Sequence, residues 1–313
     1  MIFFGTSAFA VPSLERLVNS HHVVPLCVTQ PDRRQGRGLQ PAPSPVKHIA
    51  IRLGVPVAQP ERLHGAPFAG LHVDAGVVVA YGCLIPHELL RDPAHGMLGV
   101  HPSLLPRYRG AAPVARALLN GETTTGVTIF RLNERMDAGD VASEQSVAIE
   151  PGEDAQTLSH RLSRLGAEEL LRVLDAVAEG RATFVPQDES RATLAPKLTK
   201  TDGRINWDQP ATTLERLVRA MTPWPGAATS WRGRSLKIWK ASLEETTLPP
   251  ATTRPGTILR IDAEALVVAS GRGVLKVAEV QPAGGRRMGI QAFRAGHDVH
   301  VGEILGESIV DSP

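Results

Sequence analysis

The sequence has little cysteine, no long apolar run and almost no net charge, and each shortage removes a class of protein from consideration. Its 313 residues include only 2 cysteines. Cys27 and Cys83 both sit inside apolar runs, which suits small buried hydrophobes in a reducing compartment better than a disulfide or a metal site. No stretch approaches the ~20 uncharged apolar residues needed to span a bilayer, and no basic flank precedes an apolar core near the start. The expectation is a cytoplasmic protein with no membrane partner. Several nucleotide and hydrolase motifs are missing too: there is no GxGxxG after the first strand, no GxxxxGK[ST] and no GxSxG, and His87-Glu88 lacks the second histidine of HExxH. Dinucleotide, P-loop, serine hydrolase and zinc protease readings all weaken. Internal repeats and low-complexity tracts are absent as well.

What is there suits two packed domains: 42% of the residues are hydrophobic and 21% charged, in a chain long enough for a larger and a smaller core. The formal charge of +2 conceals an asymmetry. Residues 1–190 carry 17 basic and 20 acidic side chains, a balance of −3, and residues 191–313 carry 17 and 12, a balance of +5. The C-terminal part is therefore the better candidate to meet a polyanion such as nucleic acid, although a solvated surface explains a charge of this size equally well.

Hydrophobic periodicity divides the chain in the same way. Ile2–Thr6, Val23–Thr29, Val55–Gln59, Gly76–Tyr81, Met97–His101 and Gly126–Leu132 read as strands, and Pro12–Asn19, Pro45–Leu53 and Ala112–Asn120 have the spacing of helices with one buried face. Such alternation predicts an α/β, Rossmann-like domain with a largely parallel sheet, whose ligands bind at the carboxyl ends of strands. A long helix over 154–179, stopped by Gly180, closes this domain, which is placed at residues 1–188. Residues 189–206 are polar and aperiodic and read as a linker. After a short helix near Thr213–Met221, the pattern turns to period two with Arg-Gly, Asp-Ala and Ser-Gly-Arg-Gly turns. That predicts a small antiparallel β-barrel of OB-like kind over 207–313.

Two dense segments follow predicted strands: His101-Pro-Ser-Leu-Leu-Pro-Arg-Tyr-Arg-Gly-Ala-Ala-Pro113 and Asn133-Glu-Arg-Met-Asp-Ala-Gly-Asp140. A histidine at a strand's carboxyl end, beside a loop fixed by Pro102, Pro106 and Gly110, presents a titratable nitrogen in a rigid setting. Taken alone it is as readily a core or capping histidine, and Asp137 and Asp140 alone read as turn residues. The combination is more specific. His101-Pro-Ser-Leu-Leu-Pro, Arg109-Gly-Ala-Ala-Pro and Gly126-Val-Thr-Ile…Met136-Asp-Ala-Gly-Asp, with Gln30-Pro-Asp-Arg, Val77-Val-Val-Ala-Tyr-Gly82, Lys197-Leu-Thr-Lys200, Arg204-Ile-Asn-Trp207 and Pro223-Trp-Pro225…Lys237-Ile-Trp-Lys-Ala241, resemble the folate-dependent formyltransferases. From end to end the chain is similar to the branch of that superfamily that acts on methionyl-tRNA.

The resemblance implies a reaction in which the amino group of methionine, esterified to initiator tRNA, attacks the formyl carbon of 10-formyltetrahydrofolate. It implies a folate co-substrate, a tRNA partner, a monomer and no metal. His101 would transfer protons and bind the developing oxyanion when charged, while Asp137 would orient the ring or an ordered water and favour the imidazolium. Ser103, Leu104, Leu105 and Pro106 match the family's folate loop, and Tyr81, Gly82 and Ile85 would line the pterin pocket. Arg37, with Arg33 and Arg34, lies in the loop that enters the acceptor stem, and Lys200, Lys237 and Lys240 would meet phosphates in the second domain. The chain departs from the family at Gly99, two residues before His101, where an asparagine usually donates to the formyl oxygen; Asn133 is a possible substitute donor or a strand-end turn residue. Losing such a donor costs roughly 10²–10³ in rate. That departure keeps two alternatives open, a formyltetrahydrofolate hydrolase using the same His101 and Asp137, and a catalytically impaired tRNA-binding form.

Overall fold

The computed structural model describes residues 1–35, 40–63, 73–91, 93–244 and 252–307. These form two compact units. The first comprises Met1–Pro113, Thr124–Ala148 and Ser159–Ala195, and the second Val114–Thr123, Ile149–Leu158 and the chain from Pro196 onward.

In chain order the elements up to Ala178 are β1 (Ile2–Gly5), α1 (Val11–Val18), β2 (Leu26–Val28), β3 (Arg33–Gln35), β4 (Gln40–Ala42), α2 (Pro45–Arg52), β5 (Val57–Ala58), β6 (Gly76–Val79), α3 (His87–Arg91), β7 (Met97–His101), α4 (Pro113–Leu119), β8 (Thr124–Arg131), β9 (Val141–Ala148) and α5 (Ala155–Ala178). The main sheet of the first unit has the order β5-β2-β1-β6-β7-β8-β9. Its first five strands are parallel, and β8 and β9 are added antiparallel. The largely parallel sheet read from the sequence is therefore present. Both faces are covered, which is why β7 is buried along its whole length and why its sequence is continuously apolar up to His101.

Successive residues of β1 show how the two cores are assigned. Phe3 packs with Leu14, Leu17, Val46, Val77, Val79, Val100 and the α5 residues Leu170 and Leu174. Phe4 points the other way, to Val28, Tyr81, Leu90 and Met97. Each such buried ring or branched chain contributes roughly 1.5–3 kcal/mol. Local signals start and stop the helices: Ser44 caps α2 by accepting the Lys47 N–H at 3.0 Å, Asp154 Oδ1 accepts the Thr157 N–H at 2.8 Å before α5, and Gly180, at φ +66°, follows α5.

Three features differ from the sequence reading. Strand β9 carries the mixed sequence VASEQSVA and a mostly exposed face, so it has no apolar alternation to betray it; pairing with β8 makes it a strand. The β3–β4 hairpin is equally silent in periodicity. Cys83, expected to be buried like Cys27, is exposed. Gly82 at φ +80° turns the chain away at the end of β6, and the neighbouring Leu84 is 89% exposed.

The second unit holds α6 (Ala211–Ala220), β10 (Ala227–Trp231), β11 (Arg234–Leu243), β12 (Ile258–Ile261), β13 (Leu266–Ala269), β14 (Val274–Pro282), β15 (Met288–Gly289) and α7 (Ile290–Gly296). Its sheet is antiparallel throughout, in the order β10-β11-β14-β13-β12 with β15 on β14. The Arg232-Gly233 turn between β10 and β11 has positive φ at both residues, 49° and 71°, the twist that a two-residue hairpin favours. The segment after α7 ties the two edges together: the Ile258 N–H donates to Glu303 O at 2.8 Å on the β12 side, and the Gly306 N–H donates to Ser230 O at 2.9 Å on the β10 side. That closure satisfies edge groups an open sheet would leave unpaired. Among the described residues no helix is long and apolar enough to cross a membrane.

Candidate active site

His101 ends β7 and is 5% exposed. Its Nε2 lies 2.8 Å from Tyr108 O. A carbonyl only accepts, so Nε2 carries the proton and donates it. This leaves Nδ1 facing Asp137 Oδ2 at 3.6 Å, too far for a good hydrogen bond yet close enough for strong charge interaction in a poorly solvated place. The carboxylate is held from a second direction, since the Gly110 N–H donates to the same Oδ2 at 2.8 Å. Sequence reasoning placed His101 and Asp137 together, and the structure brings them together.

The loop between them is stitched by groups the sequence reading did not single out. Thr128, buried on β8 opposite His101, donates its hydroxyl to Ser103 O at 2.7 Å and accepts the Leu105 N–H at 3.1 Å. Ser103 Oγ donates to Arg107 O at 2.6 Å. From the segment read as a linker, Thr193 accepts the Tyr108 N–H on its hydroxyl at 2.8 Å and the Arg109 N–H on its carbonyl at 2.9 Å. Gln187 spans both halves: Nε2 donates to Asp137 O at 2.9 Å and Gly139 O at 2.7 Å, while Oε1 accepts from Arg109 Nη2 at 2.7 Å. Arg109, nearly buried, also forks onto both Glu189 oxygens, and that hydrogen bonding holds the Glu189 carboxyl below the usual carboxylate range.

Two non-glycine residues here have left-handed backbone, Tyr108 at φ 62° and Asp137 at φ 51°. Such conformations cost of order 1–3 kcal/mol each and persist where surrounding contacts over-determine them. Thr193 and Gln187 supply those contacts, as amide and carbonyl partners of Tyr108 and Asp137. They carried no sequence motif by which they could have been found.

Of the residues expected at a folate, Ser103 spends its hydroxyl on Arg107 O within the loop and Leu105 its amide on Thr128 of β8, and Pro106 O accepts the Thr193 N–H. Leu104 is half-buried over Gly126, where a Cβ would meet Leu104 Cδ2. Tyr81 is buried with its ring edge-on to Phe4 at 5.6 Å. Burial, aided by the neighbouring Cys83, pushes its phenol up to about 12. Its carbonyl accepts from Thr6 Oγ1 and Gln30 Nε2. A Cβ on Gly82 would lie 2.7 Å from Gln30 Nε2, so glycine suits this turn twice over. Ile85 is half-buried against the Phe4 core.

A cavity of about 650 Å³ lies at the Gly96 end of β7, away from His101, lined by His87, Leu90, Gly96, Arg131, Asn133 and Glu134 among others. It is of a size that suits a small-molecule ligand. None of the seven expected folate residues lines it; it shares instead the segment leading into Asp137. Asn133 Oδ1 accepts the Arg135 N–H at 2.9 Å, the turn geometry that was one of its two readings. At Gly99 a Cβ would approach Phe130 Cε1 to 2.6 Å and Leu132 Cδ1 to 2.8 Å. The space beside His101 on this face of β7 is thus filled from β8, so an asparagine side chain there requires Phe130 and Leu132 to move.

The basic residues expected to meet tRNA are placed unequally. Arg33 is exposed on β3 and Lys240 on β11. Lys200 is exposed at the start of a 3₁₀ turn over Lys200–Gly203. Lys237 is tied down, donating to Pro225 O at 2.7 Å and lying over the Trp239 ring. The Arg34 side chain and all of Arg37 fall outside the described residues.

Comparison with known proteins joins these observations. Residues 1–174 match the formyl transferase family and residues 197–298 the formyl transferase C-terminal domain. The chain is 42% identical over 310 residues to a methionyl-tRNA formyltransferase of Caldanaerobacter subterraneus subsp. tengcongensis, covering 97% of this chain and 99% of that one. It is 46% identical over 311 residues to that of Roseiflexus castenholzii, with 98% of each covered. Among solved structures, the N-formyltransferase from Helicobacter canadensis in complex with folinic acid and dTDP-3-aminofucose shares the fold, with a TM-score of 0.67 at 15% identity over 88% of this chain and 98% of that one. So does HypX from Aquifex aeolicus, at a TM-score of 0.66 and 20% identity over 96% of this chain, which spans about half of HypX, 48% of its length. On matches that run through both domains, the chain belongs to the formyl transferase family, among the methionyl-tRNA formyltransferases.

Proposed function

We propose that the protein transfers the formyl group of 10-formyltetrahydrofolate to the amino group of methionine on initiator methionyl-tRNA. The observation that carries this reading is the His101–Asp137 pair, in which Nε2 is committed to Tyr108 O and Nδ1 is turned to Asp137 Oδ2 at 3.6 Å.

The chemistry follows from that commitment. The α-amine attacks as its neutral form, a C–N bond forms, and charge develops on the formyl oxygen. The folate N10–carbon bond then breaks, and N10 leaves as it accepts a proton, so the proton lost by the amine balances the one gained by the folate. With Nε2 occupied, Nδ1 is the ring atom that exchanges protons. The nearby Asp137 carboxylate stabilises the positive ring in transit and keeps its plane fixed. Gly99 offers no side chain, so the protonated ring is the group that meets the developing oxyanion, in a setting where burial strengthens the interaction. The Tyr81–Ile85 turn after β6 supports a folate donor, and the exposed Arg33, Lys200 and Lys240 support an acceptor with a phosphate backbone.

Single-turnover formyl transfer to charged initiator methionyl-tRNA, with folate release in the absence of acceptor as background, tests this. Acceptor-dependent amide formation is the expected result. Release of formate at the same rate with and without tRNA would replace the reading by a hydrolase, and tRNA binding without either product would leave an inactive site.

A further inference from the structure

One cluster of side chains plays no part in this chemistry. Among the described residues, the ligand atoms of His21, His22 and Asp175 all lie within 4.8 Å of one another. His22 Nε2 is 2.8 Å from Asp175 Oδ1, and His21 Nε2 is 3.5 Å from the same oxygen. The two rings lie 4.2 Å apart between centroids, tilted 34° to one another. We infer that these three residues form a binding site for a borderline divalent cation, with Zn²⁺ the best match.

The donor set selects the ion. Two imidazole nitrogens and one carboxylate oxygen suit zinc and its first-row neighbours, whereas magnesium and calcium take oxygen ligands. Metal–ligand bonds of about 2.0–2.1 Å in a tetrahedron separate neighbouring donors by about 3.3 Å. The two observed separations from Asp175 Oδ1, 2.8 and 3.5 Å, bracket that value. The third pair, between the two histidines, lies within 4.8 Å, so small ring movements close the set on an ion, with water completing the fourth position.

The scaffold is firm on both sides. Ser20 Oγ donates to Leu17 O at 2.6 Å and accepts the His22 N–H at 3.1 Å, and the amino terminus donates to Val23 O at 2.9 Å, so the turn carrying both histidines is braced at each end. Asp175 stands on α5, whose Leu170 and Leu174 are locked in the core. An ion pair alone accounts for His22, whose side chain is 12% exposed. It does not account for His21, whose ring is 71% exposed yet lies against its neighbour and aims Nε2 at the same oxygen. Both rings aim a nitrogen at one carboxylate oxygen, and a cation is the partner that two nitrogens and a carboxylate recognise together. Bound there, it would cross-link the turn after α1 to the last turns of α5.

The test uses the full chain without a histidine tag, stripped with a chelator and titrated with Zn²⁺ against a chromophoric competitor. One Zn²⁺ per chain is expected, with an unfolding temperature that rises with Zn²⁺ concentration. His21→Ala removes only an exposed ring, and Asp175→Asn replaces an anionic ligand by a poor one. Each should weaken binding by about tenfold or more, since even outer-shell losses cost 10–100-fold. His300→Ala, which removes a histidine paired with a single aspartate, should leave the affinity unchanged. With Co²⁺ in place of Zn²⁺, an intense visible band of tetrahedral type should appear in the wild-type chain and fade in His21→Ala. Equal Zn²⁺ affinity in the wild-type chain and His21→Ala, or no saturable binding by the wild-type chain, would overturn the assignment.

Discussion

Arg109 in the first unit and the lysines read as phosphate contacts in the second use positive charge in opposite ways. In the first, Arg109 is almost fully buried and spends its donors on Gln187 and Glu189. In the second, Lys200 and Lys240 are exposed, and among the basic residues read as phosphate contacts there only Lys237 is tied down, through Pro225 O. Chemistry on a formyl carbon needs atoms fixed to a fraction of an ångström, so cations near it work as scaffolding. A backbone of phosphates is read by charge that stays hydrated until contact and specifies little about geometry. Losses in the first unit should therefore be steep and local, and losses in the second shallow and salt-dependent.

The steepest should come from His101→Ala. General acid–base catalysis supplies about 10²–10⁴ in rate, and single-turnover formyl transfer should fall by at least the lower end of that range while folate binding holds. A variant with near-normal turnover would break the comparison outright. Next, Gln187→Leu removes the carboxamide shared by Asp137 O, Gly139 O and Arg109. Leaving buried partners unpaired costs about 1–3 kcal/mol, and a carboxylate released from its place should lower kcat by about tenfold or more with little change in KM for tRNA. Gln187→Asn, which keeps the amide on a shorter arm, should recover part of the loss, whereas a change confined to thermal stability would make Gln187 structural only.

Gly99→Asn is smaller and more instructive. It adds the family's side chain where Phe130 and Leu132 already sit, so it should lower the unfolding free energy by about 1–3 kcal/mol, as overpacking does, and raise activity only when paired with Phe130→Ala. Full stability and higher rate in the single variant would show that the neighbouring strand yields freely. Lys240→Ala should weaken tRNA binding modestly and reduce the slope of log affinity against log salt by about one, with the chemical step untouched.

Acid behaviour gives the mildest effect. Arg109 holds the Glu189 carboxyl below its ordinary value. A depressed folded value stabilises above the unfolded pKa, and the contribution is lost as pH falls through the folded one. Glu189→Gln should accordingly lower stability slightly at neutral pH, leave it unchanged below the folded value, and so flatten the acid limb of the unfolding curve. An unaltered acid limb would remove Glu189 from the clamp.

The comparison also marks how far sequence reading reaches. Strands β1, β2, β5, β6, β7 and β8 and the hairpins of the second unit were legible because burial imposes a period, and His101 and Asp137 stood out because their motifs are dense; β3 and β4 were not legible. Strand β9 was not, since an edge strand with a solvated face has no period to show. Arg109 was visible only as part of a motif, and its buried bonds to Gln187 and Glu189 join residues 78 and 80 positions apart. Cys83 looked buried from its apolar neighbours and is exposed because one left-handed glycine precedes it.

By itself, then, the sequence determined the parallel and antiparallel sheets and drew out His101 and Asp137 as a candidate pair, because those depend on local period and short motifs. Only the tertiary structure decided which imidazole nitrogen faces Asp137, that residues 187–195 clamp the loop after β7, and that the place beside His101 left by Gly99 is filled by Phe130 and Leu132. Those outcomes rest on hydrogen bonds and packing between segments far apart in the chain, where the identity of a residue does not reveal its partner.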